Sequence, residues 1–95
     1  GEGGDWLSVR QDPADASVLE ALGQAFGLTA REAEVLYWVA KGKINRDIGD
    51  ILGASPATVK KHLERIHAKL GVETRTAAAA MAMNRIRQLH PQFEG

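Results

Sequence analysis

One short corner between two helical patterns constrains the fold of this chain more than any other feature of its sequence. Residues 53–55 (Gly-Ala-Ser) separate the two patterns, and Ser55-Pro56 is a typical helix start, because serine caps the first turn and proline suits its first position. The second pattern is an apolar stripe at helical spacing, formed by Val59, Leu63, Ile66 and Leu70. The first has a shorter apolar face, formed by Ile48, Ile51 and Leu52. Two helices joined by a turn of this length that contains glycine are the arrangement of a helix-turn-helix, although many helical bundles have corners as tight.

Further helical patterns lie on both sides of this corner. Apolar residues at helical spacing predict a helix over about 13–26, and Thr29 followed by Glu32 is a capping box that predicts the start of another. We expect Asn45 to cap the helix before the corner, and an alanine-rich stretch to form a last helix over about 75–89. The fold class is therefore expected to be all-α: a four-helix helix-turn-helix domain preceded by an additional N-terminal helix or linker.

The chain of 95 residues is short enough for one small domain. We divide it into a linker or tail of an upstream domain over residues 1–27, which includes the helix at about 13–26, a helix-turn-helix domain over 28–90 and a tail over 91–95. The sequence lacks an initiator methionine and opens with Gly1-Glu2-Gly3-Gly4, so we interpret it as a fragment of a larger protein or as an engineered chain.

The charge of the chain is zero on average but uneven along its length. Lysine plus arginine and aspartate plus glutamate both sum to 12, which alone argues against binding to nucleic acid. Residues 1–27, however, hold one positive and five negative side chains, a net charge of −4, whereas residues 28–95 hold eleven positive and seven negative, a net charge of +4. The simpler interpretation is a solvated surface that clusters charge by chance; the alternative is a basic domain that faces nucleic acid.

Composition excludes several classes of function. There is no cysteine, so disulfides, thiolate metal sites and cysteine nucleophiles are absent, and a reducing compartment fits. The longest apolar run, residues 77–83, is far shorter than the roughly 20 residues of a membrane span. The sequence has no glycine loop that would cradle phosphate, and Glu32 and Glu34 lie on different faces of a helix. We therefore expect a cytoplasmic protein that is not an enzyme and binds no cofactor, metal or membrane, and we expect no small-molecule ligand in this fragment.

The helix after the corner presents a distinctive outward face. With its apolar stripe buried, the outward positions are Ala57, Lys60, Lys61, Glu64 and Ala68. Lysines near a helix N-terminus favour phosphate, and lysines in the major groove donate to guanine O6 and N7. The simpler alternatives are that the lysines only solubilise the surface and that Glu64 forms an intrahelical ion pair with Lys60 or Lys61. In the functional interpretation, Glu64 accepts a hydrogen bond from a cytosine amine.

Several segments, in this order and at this spacing, resemble the LuxR/FixJ-type (GerE-like) helix-turn-helix domain. They are residues 28–36 (LTAREAEVL), Gly42, 45–48 (NRDI), 52–62 (LGASPATVKKH), 69–72 (KLGV) and Arg75-Thr76. The resemblance covers roughly residues 28–83. It implies a DNA-binding domain at the C-terminus of a bacterial transcription regulator, in which the helix at about 55–70 lies in the major groove. It also implies an N-terminal sensor or receiver domain that controls pairing of the regulator.

The resemblance further implies the residues of the site. Base contacts match Ala57, Lys60, Lys61 and Glu64, which we call the reading stripe. Phosphate contacts match Asn45, Arg46, Thr58, Arg65, Lys69, Arg75 and Thr76. We expect the Ser55 hydroxyl mainly to cap the helix, and we add it as a further phosphate contact.

The last helix makes the dimer contact in this family. We expect Ala78, Ala82 and Ile86 to pack on the domain. The outward positions are then Ala77, Met81, Asn84 and Gln88, which we call the dimer stripe. The alternative is that this stripe faces solvent or is covered by residues 13–26. The expected partners are thus double-stranded DNA and a second copy of the chain, with RNA polymerase as a further candidate.

Three positions depart from the commoner family pattern. Gly49 stands where alanine is usual, which costs up to about 1 kcal/mol of helix stability. Ala57 is small where longer polar residues occur, and Glu64 is acidic where neutral or basic residues are frequent. Two rival functions also stay open: a sigma-factor-like promoter-reading domain, and a helix-turn-helix protein-interaction module without DNA binding.

Overall fold

The computed structural model describes residues 16–89, and five helices lie within that range. Helix α1 covers 16–26, α2 Ala30–Ala40, α3 Asn45–Leu52, α4 Pro56–Leu70 and α5 Arg75–Leu89. Residues 16–89 contain no strand, so the prediction of an all-α fold with an additional N-terminal helix is confirmed. The predictions for residues 1–15 and 90–95, which include the start of the first helix and the tail, lie outside the described residues.

Local caps explain where α2 and α4 begin. The Glu32 amide donates to the Thr29 hydroxyl at 3.2 Å and the Thr29 amide donates to the Glu32 carboxylate at 3.0 Å, which confirms the capping box. The Thr58 amide donates to Ser55 Oγ at 3.1 Å, and Pro56 occupies the first turn of α4. Both caps satisfy amide donors that no helix carbonyl can reach.

The predicted cap of α3 is wrong. The helix begins at Asn45, and Ile44 takes the N-cap position without a side-chain hydrogen bond. The Asn45 side chain is engaged elsewhere, because its Oδ1 accepts a hydrogen bond from the Arg75 guanidinium at 2.7 Å. A tertiary contact thus replaces the local cap that the sequence suggests.

The corner between α3 and α4 depends on two glycines. Gly53 ends α3 in the left-handed conformation, with a φ of 72°. Gly49 is buried within α3, and a Cβ there would lie 2.4 Å from the carbonyl oxygen of Ala54. The Ala54 amide also donates to the Gly49 carbonyl oxygen at 2.9 Å. The missing side chain at Gly49 therefore lets the turn close onto α3, which corrects the view of Gly49 as only a loss of helix stability.

One hydrophobic core joins all five helices of the described range. Val18 and Leu22 of α1 are buried in it, so α1 is packed as part of the fold. The inner faces of α4 and α5 are buried as predicted, through Val59, Leu63, Ile66, Leu70, Ala78, Ala82 and Ile86. No described helix is long and apolar enough to cross a membrane.

The buried face of α3 is narrower than predicted. Ile48 is fully buried and Leu52 is half-buried, whereas Ile51 is 46% exposed. Ile51 lies about 60° around the helix from Ile48, while Gly49 lies about 100° to the other side and faces the turn. The buried side of α3 thus centres between Ile48 and Gly49, which leaves Ile51 facing solvent, and the prediction of a buried Ile51 is wrong.

Candidate nucleic-acid interface

The reading stripe lies on the exposed side of α4. The helix starts at the Ser55 cap, and the burial of its apolar stripe fixes its rotation about its own axis. All four reading-stripe residues are exposed: Ala57, Lys60, Lys61 and Glu64. The first three lie within about the first two turns, next to the positive end of the helix dipole. One small residue and two cations thus stand together at the start of an exposed helix face.

The charged side chains of the reading stripe are unpaired within residues 16–89. Neither Lys60 nor Lys61 forms an ion pair with Glu64, and the ion pairs found in that range lie at the start of α2 and between α2 and α4. The alternative of an intrahelical pair at Glu64 is therefore not realised in the structure. All three side chains are free to meet an external partner.

Most of the predicted phosphate contacts also reach the surface. Arg46, Arg65 and Thr76 are exposed, and so are Ser55 and Thr58. The Ser55 hydroxyl donates to Thr58 Oγ1 at 3.1 Å while it accepts from the Thr58 amide, so both hydroxyls organise the start of α4. Of these five residues, Arg46 and Arg65 carry positive charge.

Asn45 and Arg75 bind each other. The Arg75 guanidinium donates to Asn45 Oδ1 at 2.7 Å and to the Lys43 carbonyl oxygen at 2.6 Å. Because Arg75 begins α5 and Asn45 begins α3, these hydrogen bonds tie the starts of two helices together. Both side chains are half-buried, and they already have partners within the fold.

Lys69 has an internal partner as well. Its ammonium donates to Glu32 Oε1 at 2.7 Å. Glu32 is 2% exposed, whereas the Lys69 side chain is 36% exposed. The sequence does not single out Glu32 as a site residue. The capping box is its one signal, and that local pattern gives no sign of a partner 37 residues away.

The surroundings of Glu32 shift its ionisation. Burial raises the pKa of the Glu32 carboxyl, but hydrogen bonds from Lys69 and the Thr29 backbone, together with the charge of Lys69, outweigh burial and leave the pKa below its usual value. Glu32 is therefore a carboxylate at neutral pH. The ion pair is a fixed contact between α2 and α4.

The dimer stripe lies on α5 beside the end of α1. Two of its four residues are half-buried and two are exposed. Phe26 of α1 is half-buried and lines a cavity of about 170 Å³ with Met81, Asn84, Arg85 and Gln88. The first helix thus borders the dimer stripe and leaves Asn84 and Gln88 open to solvent.

The structure assigns no metal site to the histidines of α4. Across the part of the chain that the structure describes, no three His, Cys, Asp or Glu side chains are grouped so that they could hold a metal ion. His62 is half-buried beside the apolar stripe of α4, and its Nδ1 is buried without a hydrogen bond in the described range.

Residues 27–82 match the GerE family, described as bacterial regulatory proteins of the luxR family. The putative HTH-type transcriptional regulator YhjB of Escherichia coli is 46% identical over 78 residues, which cover 82% of this chain and 35% of that protein. The putative HTH-type transcriptional regulator y4qH of Sinorhizobium fredii is 41% identical over 66 residues, which cover 70% of this chain and 20% of that protein. The transcriptional regulatory protein LiaR of Bacillus subtilis is 47% identical over 55 residues, which cover 58% of this chain and 26% of that protein.

This chain therefore spans between a fifth and about a third of the length of these curated relatives. No solved structure is significantly similar to it. The family match extends over more than half of the chain, from the residue after α1 through the first eight residues of α5. The chain belongs to the luxR family of bacterial regulatory proteins.

Proposed function

We propose that this domain binds double-stranded DNA, with α4 in the major groove, as the effector part of a bacterial transcription regulator. The observation that carries this proposal is the exposed, unpaired reading stripe at the start of α4. A helix fits the width of the major groove, and the residues at its N-terminal end lie nearest the bases. The relatives named above are transcriptional regulators, which supports the same function.

Each reading-stripe residue has a defined role in this proposal. Lys60 and Lys61 donate to guanine O6 and N7, and Glu64 accepts from a cytosine amine. Ala57 allows the helix to approach closely and offers its methyl group to a thymine methyl. Because the Glu64 carboxylate is repelled by phosphate, it favours a position of α4 in which Glu64 lies over the base edges. The same repulsion disfavours positions of α4 that are shifted along the groove.

Arg46 and Arg65 supply the phosphate contacts that carry free charge. They lie on different helices, α3 and α4, and both are exposed. Ser55, Thr58 and Thr76 add exposed hydroxyl groups around them. Each phosphate that a cation neutralises contributes about −0.9 to the slope of log affinity against log salt concentration, so we expect a clear but modest salt dependence for one copy.

The same proposal includes a dimer on DNA. Contact between two dimer stripes would place the two α4 helices in half-sites about one DNA turn apart. The chain spans 35% or less of the relatives named above. An upstream domain that senses a signal, and contact with RNA polymerase, are therefore proposed for the whole protein and not for this domain.

Selection of preferred duplexes from a random pool, followed by affinity measurements, tests this function. Lys60→Ala and Lys61→Ala should each lower the affinity for the selected duplex by about 1–3 kcal/mol and relax base preference at one position. Arg65→Ala, a matched loss of charge from the same helix, should weaken selected and scrambled duplexes alike. If no duplex is selected and none binds at low salt, the protein-interaction module becomes the better function.

A further inference from the structure

We infer that Lys69 is a positioning residue for α4 and not a phosphate contact, because its ion pair with Glu32 fixes the C-terminal end of that helix against the start of α2. The inference rests on the proposed function, since it concerns how α4 is presented to DNA. Lys69 is then no longer one of the phosphate contacts that the family resemblance implies. Glu32 becomes a residue that affects recognition without contact with DNA.

The position of Lys69 on α4 directs its side chain away from the reading stripe. Lys69 follows Lys60 by nine residues, or about 180° around an α-helix, and follows Glu64 by five, or about 140°. The reading stripe faces solvent, while the Lys69 side chain reaches the first turn of α2. Lys69 lies about 80° from Lys61 and about 40° from Arg65, so it is on a flank of α4, and its ion pair with Glu32 turns its side chain toward α2.

Glu32 is a fixed anchor for the Lys69 side chain. Its Oε1 accepts both from the Thr29 amide at 3.0 Å and from the Lys69 ammonium at 2.7 Å. Glu32 is 2% exposed, so loss of its partner would leave a buried charge unpaired, which strongly destabilises a protein. A Lys69 ammonium that moved to a phosphate would incur this cost, and we expect it to stay with Glu32 when DNA binds.

The ion pair and the corner together set the orientation of α4. At one end of the helix, Gly49 meets Ala54 in the tight turn. At the other end, Lys69 lies one residue before the last residue of the helix, Leu70. The helix is 15 residues long, or about 22 Å, so a small displacement at Lys69 tilts the whole reading stripe relative to the bases.

The test compares Lys69→Met with Arg65→Met, which removes the same charge from an exposed position one turn earlier on α4. Affinities of the full chain for a selected and a scrambled duplex are measured between about 50 and 200 mM salt. Circular dichroism defines a temperature at which every variant is folded. For Lys69→Met we expect the wild-type salt slope and a loss of roughly three- to tenfold in the ratio of selected to scrambled affinity. For Arg65→Met we expect the slope to weaken by about 0.9.

Two further variants separate positioning from folding. Glu32→Gln combined with Lys69→Met leaves no buried charge unpaired, so it should stay folded to a higher temperature than Lys69→Met alone. The double variant should show the same salt slope and the same loss in the ratio of selected to scrambled affinity. Lys69→Arg keeps the charge and its reach to Glu32, and it should restore the wild-type ratio.

A salt slope that weakens by about 0.9 in Lys69→Met or in the double variant would overturn the inference, because it would identify Lys69 as a phosphate contact. An unchanged ratio of selected to scrambled affinity would overturn it too, since the ion pair would then serve stability alone. A wild-type chain that binds no duplex would refute the proposed function itself, which is a different result from either of these.

Discussion

At the scale of single residues, Gly49 combines two opposing effects on stability. Alanine in its place gains up to about 1 kcal/mol of helix propensity. Its Cβ, however, would meet the Ala54 carbonyl oxygen at 2.4 Å, and overpacking of this kind costs about 1–3 kcal/mol. We predict that Gly49→Ala lowers the free energy of unfolding by about 1 kcal/mol and the Tm by about 4–8 °C in thermal denaturation.

Asp50→Ala is the matched control for this prediction. Asp50 is exposed on the same helix, so alanine there gains helix propensity without a close contact and should raise the Tm. A Tm for Gly49→Ala above that of the wild type would show that the turn relaxes at no cost.

Glu32 gives the stability of the domain a defined dependence on pH. The pKa of its carboxyl is lower in the folded than in the unfolded chain, so in the acidic range the unfolded chain binds more protons and stability rises with pH. This contribution is complete above the unfolded pKa and is lost as the pH falls through the lower, folded pKa. We predict that the free energy of unfolding falls less steeply below about pH 4.5 in Glu32→Gln than in the wild type.

Urea denaturation followed by circular dichroism between about pH 3 and pH 7 measures both pH curves. The other carboxyl groups are common to the two chains, so the difference between the curves isolates Glu32. Parallel curves would mean that the ion pair with Lys69 contributes no pH dependence.

At the scale of helices, contacts within one helix were predictable from the sequence and contacts between helices were not. The apolar stripes of α4 and α5 and the capped starts at Thr29 and Ser55 depend on residues a few positions apart, and the structure confirms them. The start of α3 at Asn45 and the exposure of Ile51 depend on other helices. The partner of Lys69 lies 37 residues away. The exposed face of α4 could be predicted from the helical periodicity of the sequence. Which lysine and arginine side chains have internal partners could not be predicted, because those partners lie on other helices.

The packing of helix α1 was also not predictable, because its sequence is equally consistent with a linker. Leu22 is fully buried in the shared core. We predict that Leu22→Ala lowers the free energy of unfolding by about 2–5 kcal/mol, since it opens a cavity, and that the whole domain still unfolds in one transition in urea. Gln24→Ala, exposed on the same helix, should change stability by less than about 0.5 kcal/mol. Two separate transitions would mean that α1 unfolds independently.

At the scale of the whole molecule, the net charge of zero conceals which cations are available to a partner. Lysine and arginine number 12, as do aspartate and glutamate. Within the described domain, Lys69 and Arg75 have internal partners, while Lys60, Lys61 and Arg65 remain exposed on α4. The positive charge proposed to meet DNA therefore comes from three residues of α4 and from Arg46 of α3. A single copy has few charged contacts, so we expect firm binding to require two copies on a palindromic site.

The position of bound DNA on the domain tests the placement of α4 most directly. Amide chemical shifts of the isotope-labelled chain are recorded while a selected palindromic duplex is added. We predict that the largest shift changes fall in residues 55–65 and at Arg46, while the amides of α1 change little. Largest changes on α1, or changes on α5 that leave α4 unaffected, would contradict the placement of α4 in the major groove.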